Sequence, residues 1–267
     1  MPFFKFQEIQ FHYRDEDERS DKKTGLSLVF VHGAGSSHET WALQMKEFRR
    51  SHRVVALDLS GHGESDPGLD EASIDQVYAI EVAALIEHLD LSDFVLIGHS
   101  MGGGVVMSYT LNDELRKPCA ITLVDTSPCL ELSKLARGLA KETIETQLFL
   151  LRGRREGVFQ EAYDIIRREE DTKRRRPRIM ARDLAASNKF DITEELGSID
   201  VPTFILVGEH DDIVPPNVAK QFEDAIPRAD IAVVKDAHHV PMLHNPEMFN
   251  QLLRKYLDWV ERELISS

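Results

Sequence analysis

Ser100 lies in a short turn with glycine on both sides, Gly98-His99-Ser100-Met101-Gly102. Residues 94–97 before the turn form an apolar, strand-like run, and residues 102–107 after it are small or apolar, as at a helix start. A serine at the tip of a strand-turn-helix unit adopts strained dihedral angles, so its neighbours need residues without a Cβ atom. The pattern predicts a Ser100 nucleophile at a strand end, with the Met101 backbone N–H as one oxyanion donor.

Apolar runs of strand length recur along the chain and alternate with helical patterns. The strand-like segments are 3–13, which favours one or two antiparallel edge strands, then 26–32, 53–58, 94–97, 119–125, 203–208 and 230–235. Unbroken apolar runs are typical of strands covered on both faces of a parallel sheet. Helical patterns lie at 40–49, 73–89 with Ser73 as N-cap, 218–225 and 246–264. The sequence therefore predicts an α/β fold with a mostly parallel eight-stranded sheet flanked by helices.

The interval after the sixth predicted strand has no strand pattern. It contains helical patterns at 132–151 and 156–168, followed by an arginine-rich cluster at 173–176. Helices inserted between two sheet strands are expected to pack over the strand ends. We therefore predict a helical cap at 127–200 that divides the core into a first part, 1–126, and a second part, 201–267.

The net charge of −14 argues against a general nucleic-acid-binding protein, because phosphate contacts need a basic surface. Between residues 131 and 190, however, 15 Lys and Arg stand against 10 Asp and Glu, while the remainder carries 17 against 36. The predicted cap is therefore cationic within an acidic chain. One interpretation is that its arginines guide an anionic substrate, and the alternative is that they pair with nearby acids.

Cysteine usage and hydropathy predict a cytoplasmic protein. No stretch approaches the roughly 18 apolar residues of a membrane span, and the start has no apolar run of signal-peptide length. Cys119 and Cys129 belong to no C-x-x-C pattern and are predicted to be free, partly buried thiols. Nothing in the sequence decides between a monomer and a dimer.

Four motifs in order give the chain a resemblance to the α/β-hydrolase fold superfamily, specifically its small capped ester-hydrolase branch. They are His32-Gly33-Ala34-Gly35, the segment 58–65, the turn around Ser100, and the pair of segments 208–215 and 238–246. The resemblance implies Ser100 as nucleophile, Asp211 as the acid, and His239 as the general base. It also implies that the backbone N–H groups of Ala34 and Met101 form the oxyanion hole.

Several neighbours of these residues are alternatives. His238 and His244 occupy positions where the family usually has Gly and Glu, so His238 competes with His239, although the step to Pro246 favours His239. Asp212 and Asp125 compete with Asp211 as the acid. His99, beside the nucleophile, and Asp58, after the fourth strand, are interpreted as structural.

The reaction implied by a serine at this position is attack on a carbonyl. We expect a small-molecule ester or thioester substrate, and neither a cofactor nor a metal, because no metal-ligand spacing or phosphate loop is present. Alternatives are carbon–carbon bond hydrolysis or perhydrolysis on the same triad, and a slow hydrolase-like ligand receptor.

Overall fold

A computed structural model describes residues 2–20, 25–129, 146 and 157–266 of the chain. Its centre is one eight-stranded sheet in the order β1-β2-β4-β3-β5-β6-β7-β8. In chain order the strands are Phe3–Phe6, Ile9–Glu16, Ser27–Val31, Arg53–Leu57, Phe94–His99, Ala120–Val124, Thr203–Gly208 and Ala229–Val234. β2 pairs antiparallel with β1 and β4, and the other pairs are parallel. The predicted mostly parallel eight-stranded sheet is confirmed.

Helices cover both faces of this sheet. They are α1 Ala42–Phe48, α2 Ala79–His88, α3 Met101–Leu111, α4 Val158–Arg175, α5 Pro177–Asn188, α6 Pro216–Ala225, α7 Pro241–His244 and α8 Pro246–Ser266. In β3, Val29 and Val31 belong to one hydrophobic cluster, whereas Leu28 and Phe30 belong to the other. Successive side chains of a strand point to opposite faces, so the unbroken apolar run reflects two buried faces.

The helix predicted after Ser73 begins with an unusual turn. The Ser73 hydroxyl accepts a hydrogen bond from the Gln76 N–H at 3.1 Å, which confirms the predicted N-cap. Residues Ile74–Tyr78 then form a wide π-helical turn before α2. This turn carries Tyr78, whose side chain is fully buried.

Between β6 and β7 the structure describes residues 125–129, 146 and 157–202. Of these, residues 127–129, 146 and 157–200 are called here the helical insertion. It contains α4, α5 and a 3₁₀ segment, Thr193–Ser198. The prediction of a helix at 156–168 was too short, because α4 continues through the basic cluster to Arg175. The helix α4 ends before Arg176 because Pro177 is the first residue of α5, and a residue that precedes proline disfavours helical dihedral angles. The helix predicted at 132–151 lies outside the described residues, apart from Thr146.

Two smaller observations concern the cysteines and membrane spans. Cys119 and Cys129 are half-buried thiols that form no disulfide with each other, as predicted. Within the described ranges, no helix has both the length and the apolar composition needed to cross a bilayer.

Candidate active site

Ser100 occupies the sharp turn between β5 and α3. Its φ of 53° and ψ of −120° lie in a region that L-residues rarely adopt. A Cβ on Gly98 would lie 2.2 Å from the Gly102 carbonyl oxygen, and one on Gly102 would lie 2.5 Å from the Val31 carbonyl oxygen. Both flanking glycines are therefore required by close backbone packing, which confirms the predicted strand-turn-helix context of Ser100.

His239 and Asp211 extend a hydrogen-bonded chain from this serine. His239 follows β8, and its Nε2 lies 3.1 Å from Ser100 Oγ. Its Nδ1 donates to Asp211 Oδ2 at 2.8 Å. A carboxylate only accepts hydrogen bonds, so the proton belongs on Nδ1 and the Nε2 lone pair faces the Ser100 hydroxyl. The structure brings together the three residues that the sequence placed at three different strand ends.

Asp211 is the aspartate oriented toward His239. Its Oδ1 accepts the backbone N–H groups of Ile213 at 2.7 Å and Val214 at 3.0 Å, which leaves Oδ2 for the imidazole. The neighbouring Asp212 is only half-buried. Asp125, the other alternative, lies after β6 and accepts the Gly208 N–H at 2.8 Å. Asp125 therefore ties the end of β6 to β7, and one of its side-chain oxygens lies within 4.8 Å of the side chains of Asp211 and His239.

Two neighbouring histidines, His99 and His244, hold the loop that carries His239. His99 is buried, and its Nε2 donates to the His239 carbonyl oxygen at 2.6 Å. Burial, and then the neighbouring His239, hold the pKa of His99 well below its ordinary value, so its ring is neutral. The His238 N–H donates to His244 Nδ1 at 3.2 Å. His99 and His244 thus fix the backbone on both sides of the His239 ring.

Asp58 has the structural position that the sequence indicated. Its buried carboxylate accepts hydrogen bonds from His12, from the His38 backbone and ring, and from the Glu64 N–H. A Cβ on Gly63 would lie 2.0 Å from Asp58 Oδ2. Asp58 therefore braces the loop at 61–64 and has the structural role that the sequence indicated.

The two residues with the predicted oxyanion donors line the same cavity as Ser100 and His239. Ala34 follows β3, Met101 is the first residue of α3, and both line the cavity. In the described part of the chain, neither N–H donates to another protein atom. The N-terminus of a helix carries partial positive charge, so the Met101 N–H suits a developing anion. Ala34 and Met101 therefore both border the cavity, and their role as a pair of oxyanion donors stays a prediction.

The cavity has a volume of about 380 Å³ and lies between the strand ends and the helical insertion. Its apolar lining includes Ile166, Met180, Leu184, Ile213, Val240 and Leu243. Charged residues come from α4 and are Glu169, Glu170, Lys173 and Arg174.

Only part of the predicted basic cluster reaches this cavity. Arg174 lines it, whereas the Arg176 guanidinium donates to the carbonyl oxygens of Gly61 and Gly63, both at 3.1 Å. Lys173 forms an ion pair with Glu170 at 3.0 Å. Arg152, Arg154 and Arg155, which the sequence grouped with this cluster, lie outside the described residues.

Two buried acids of the insertion were missed by sequence reasoning. Glu169 contacts the hydroxyls of Ser36 and Ser37, and Asp183 contacts the Gly35 N–H, all in the loop that carries Ala34. Acids beside arginines on a helix are typical of a solvated surface, so no local signal distinguishes these two. Their burial follows from the packing of the insertion on that loop.

Three groups of described side chains bring metal-ligand types within 4.8 Å of one another. They are His12 with His38 and Asp58, Asp125 with Asp211 and His239, and Glu209 with His210 and Asp236. In the first two groups, Asp58 accepts hydrogen bonds from the His12 ring at 2.7 Å and the His38 ring at 2.9 Å, and Asp211 accepts one from the His239 ring at 2.8 Å. The third group is exposed on the surface. These contacts account for the first two groups as hydrogen-bonded pairs.

The chain matches a family model and is similar to two named proteins and to one solved structure. The model described as "Alpha/beta hydrolase family" matches residues 28–252. A non-heme chloroperoxidase of Streptomyces lividans is 30% identical, covering 85% of this chain and 90% of its own length. A bifunctional esterase/perhydrolase of Acinetobacter calcoaceticus is 31% identical, covering 70% and 75%. The structure of a thermophilic esterase from Thermogutta terrifontis is similar with a TM-score of 0.76 and 26% identity, covering 94% of both chains.

Proposed function

The chain belongs to the alpha/beta hydrolase family, and we propose that it is a serine hydrolase that cleaves a carboxylic ester or thioester through an acyl-enzyme on Ser100. The observation that carries the proposal is the continuous chain from Asp211 through His239 to Ser100, with contacts of 2.8 Å and 3.1 Å. Ser100, His239, Ala34 and Met101 all line one cavity. These contacts are the ones expected of an orienting acid, a base and a nucleophile, and Ala34 and Met101 are the proposed oxyanion donors beside them.

In the first half of the proposed reaction, Ser100 Oγ attacks the substrate carbonyl carbon and His239 Nε2 takes the hydroxyl proton. The carbonyl oxygen becomes an alkoxide that accepts hydrogen bonds from the N–H groups of Ala34 and Met101. The imidazolium, stabilised by Asp211, then gives its proton to the leaving alcohol or thiol as the carbon–oxygen or carbon–sulfur bond breaks. The acyl group remains on Ser100 as an ester.

In the second half, water replaces the leaving group. His239 takes a proton from water as its oxygen attacks the acyl carbonyl, and the same two N–H groups stabilise the second alkoxide. Collapse of this intermediate releases the carboxylic acid and returns the proton to Ser100 Oγ. Each oxyanion donor of this kind is worth about 3–4 kcal/mol of transition-state stabilisation.

The helical insertion, which we propose as a cap, supplies much of the substrate-facing surface. Ile166, Met180 and Leu184 give the cavity an apolar side suited to an acyl chain. Arg174 gives the same cavity a cationic group. We therefore include esters with an anionic substituent in the substrate class.

Perhydrolysis is a second candidate, favoured by the named activity of the Acinetobacter calcoaceticus relative. It uses the same acyl-enzyme, but hydrogen peroxide replaces water as the second nucleophile and the product is a peracid. The two activities share Ser100 and His239, so they are distinguished by measuring peracid formation at increasing peroxide. Hydrolysis of a diketone with no turnover of simple esters would instead indicate carbon–carbon bond cleavage.

The test of the proposed function compares the wild type with Ser100→Ala on a short-chain nitrophenyl ester. We expect kcat/KM to fall by about 10⁴-fold or more in the variant, because both the nucleophile and the acyl-enzyme are lost. Ser108→Ala is the matched control, because Ser108 lies on α3, the helix that follows the Ser100 turn. This variant should retain activity. Equal activity of the wild type and Ser100→Ala would overturn the proposal.

A further inference from the structure

We propose that Asp183, a buried residue of the helical insertion, is a positioning residue for the oxyanion loop, defined as residues 33–37. The inference rests on the proposed function, since it concerns how the Ala34 N–H is held in place. If Asp183 has this role, the insertion both shapes the cavity and helps to position the oxyanion donor for any substrate.

Asp183 lies on α5 with no exposed surface. Its Oδ2 accepts the Gly35 N–H at 2.8 Å and the His62 Nε2–H at 2.7 Å. Its Oδ1 accepts the Tyr78 hydroxyl at 2.6 Å. Burial opposes ionisation, but the hydrogen bonds from His62, Tyr78 and Gly35 outweigh it and hold the pKa of Asp183 below its ordinary value. A charged, fully buried carboxylate thus joins three separate segments of the core.

The contact with Gly35 constrains Ala34 directly. The Gly35 N–H belongs to the peptide unit that joins Ala34 to Gly35, so holding it fixes the backbone on the carboxyl side of Ala34. On the other side, a Cβ at Gly33 would lie 2.9 Å from His99 Nδ1 and 3.2 Å from Ser100 Cβ, so this residue packs closely against the nucleophile turn. The proposed oxyanion donor lies between these two restraints.

The conformation of the loop explains why an external restraint is useful. Gly35 has a φ of 64°, and its amide hydrogen bond goes to Asp183, 148 residues away in sequence. Within the loop itself, the Ser36 N–H donates to the Gly33 carbonyl oxygen at 3.2 Å. Glu169 adds a second contact from the insertion by accepting the Ser37 hydroxyl at 2.6 Å. The insertion therefore holds three consecutive residues next to Ala34.

Loss of this restraint should act on the transition state. A hydrogen bond to an oxyanion is sensitive to small displacements, and a misplacement of about 1 Å can cost about 10²-fold in rate. Asp183 itself does not line the cavity. Its removal is therefore expected to lower kcat with little change in KM, whatever the acyl group.

The experiment compares Asp183→Ala and Asp183→Asn with the control Asp171→Asn, an exposed acid of α4. Active sites are counted with a fluorophosphonate, so that kcat is expressed per folded site. We expect Asp183→Ala to lower kcat by about 30-fold with KM within about 3-fold. Asp183→Asn should lower it by only about 5-fold, because an amide oxygen still accepts the Gly35 N–H, but without the charge. The control should match the wild type.

A transition-state analogue separates positioning from a merely structural role. A trifluoromethyl ketone forms a hemiketal oxyanion on the serine, so its Ki should rise by the same factor by which kcat/KM falls. Binding of the unreacted ester to the Ser100→Ala form of each variant should not change. If Asp183→Ala does not fold, Asp183→Asn decides alone on the same two measurements.

Three results would overturn the proposal: unchanged kcat per site, a change confined to KM, or a lower kcat with an unchanged Ki for the ketone. Each leaves the proposed function intact if Ser100→Ala remains inactive. Activity in Ser100→Ala would instead overturn the proposed function, and the positioning role with it.

Discussion

Two buried histidine–aspartate pairs lie at the proposed active site, one within the catalytic residues and the other beside the oxyanion loop. His239 with Asp211 comes from loops after two strands, and its imidazole also reaches Ser100. His62 with Asp183 joins a core loop to the helical insertion, and its carboxylate also holds Gly35. The pair distances are 2.8 Å and 2.7 Å, so distance does not separate their roles.

The difference lies in what the second ring nitrogen faces. His239 Nε2 faces a hydroxyl whose proton it can accept, and the ring is partly open to the cavity. His62 Nδ1 lies 3.1 Å from the Ser60 carbonyl oxygen, so both of its nitrogens face acceptors. The first pair can therefore move a proton, and the second can only hold structure. A histidine–aspartate contact alone does not identify a catalytic base.

The largest expected effect comes from neutralising the first pair with Asp211→Asn. An asparagine no longer stabilises the imidazolium and favours the wrong tautomer of His239, so kcat should fall by about 10³-fold or more with KM nearly unchanged. Steady-state kinetics on a nitrophenyl ester measures this effect. Asp212→Asn is the matched control and should stay within about 3-fold of the wild type. A larger loss in Asp212→Asn than in Asp211→Asn would reverse the assignment of the acid.

The second pair should respond in the opposite way. His62→Ala leaves the buried Asp183 carboxylate without one of its donors, so we expect the free energy of unfolding to fall by about 3 kcal/mol. kcat should fall by only about 10-fold, because the Gly35 contact remains. Urea unfolding and kinetics on the same samples measure both. His239→Ala should show the reverse, with activity abolished and a smaller loss of stability, because removing this cavity-lining ring opens Asp211 to the cavity, whereas the His62 ring is enclosed. Similar profiles for the two variants would contradict this expectation.

His32 is a buried histidine that contacts backbone groups, in contrast to His239 and His62, which contact carboxylates. His32 donates from Nδ1 to the Gly33 carbonyl oxygen at 2.8 Å and accepts the Leu59 N–H at 3.2 Å. Burial, and then the nearby His62, lower the pKa of His32 from 6.5 to about 4. In the unfolded chain His32 therefore binds a proton below about pH 6.5, whereas in the folded chain it does so only below about pH 4. Lowering the pH from 6.5 to 4 consequently stabilises the unfolded chain relative to the folded one.

For this residue we expect a loss of about 2 kcal/mol of stability between pH 7 and pH 5. The measurement is urea unfolding of the wild type and His32→Gln at both pH values. The variant should lose correspondingly less on acidification, even if it is less stable at pH 7. Equal losses in the two proteins would show that His32 does not carry this acid sensitivity.

The smallest expected effect concerns the charge of the insertion. Arg174→Ala should raise KM for an anionic ester by about 3-fold at low salt and leave KM for a neutral ester unchanged. The effect is small because Arg174 is exposed, so solvent and salt screen its charge. Arg175→Ala, the exposed neighbour that does not line the cavity, is the control. An identical KM for both esters in Arg174→Ala would remove the anionic substituent from the proposed substrate class.

The sheet and the Ser100 turn were predictable because their signals are local. Buried strands appear as unbroken apolar runs, and the turn needs glycine at 98 and 102 for contacts that neighbouring residues make. Asp211 and His239 were also predicted, since each follows a strand and carries motif spacing. The choice between His239 and His238 depended on that spacing, and the structure directs His239 toward Ser100.

Asp183 and Glu169 could not be predicted in the same way. Their partners lie 148 and 132–133 residues away, so nothing in the surrounding sequence reports their burial. The continuation of α4 through the basic cluster was missed because four consecutive cations disfavour a helix locally. In the structure, Arg176 finds carbonyl acceptors on the core loop, and Lys173 pairs with Glu170. Tertiary packing decided each of these positions.

The central claim is that Ser100 forms a covalent acyl-enzyme with His239 and Asp211 in support. Its most direct test is intact-mass spectrometry after reaction with a fluorophosphonate, followed by peptide mapping. We expect one adduct per chain on the peptide containing Ser100, none in Ser100→Ala, and much slower labelling in His239→Ala. An adduct that persists in Ser100→Ala, or that maps to another residue, would contradict it.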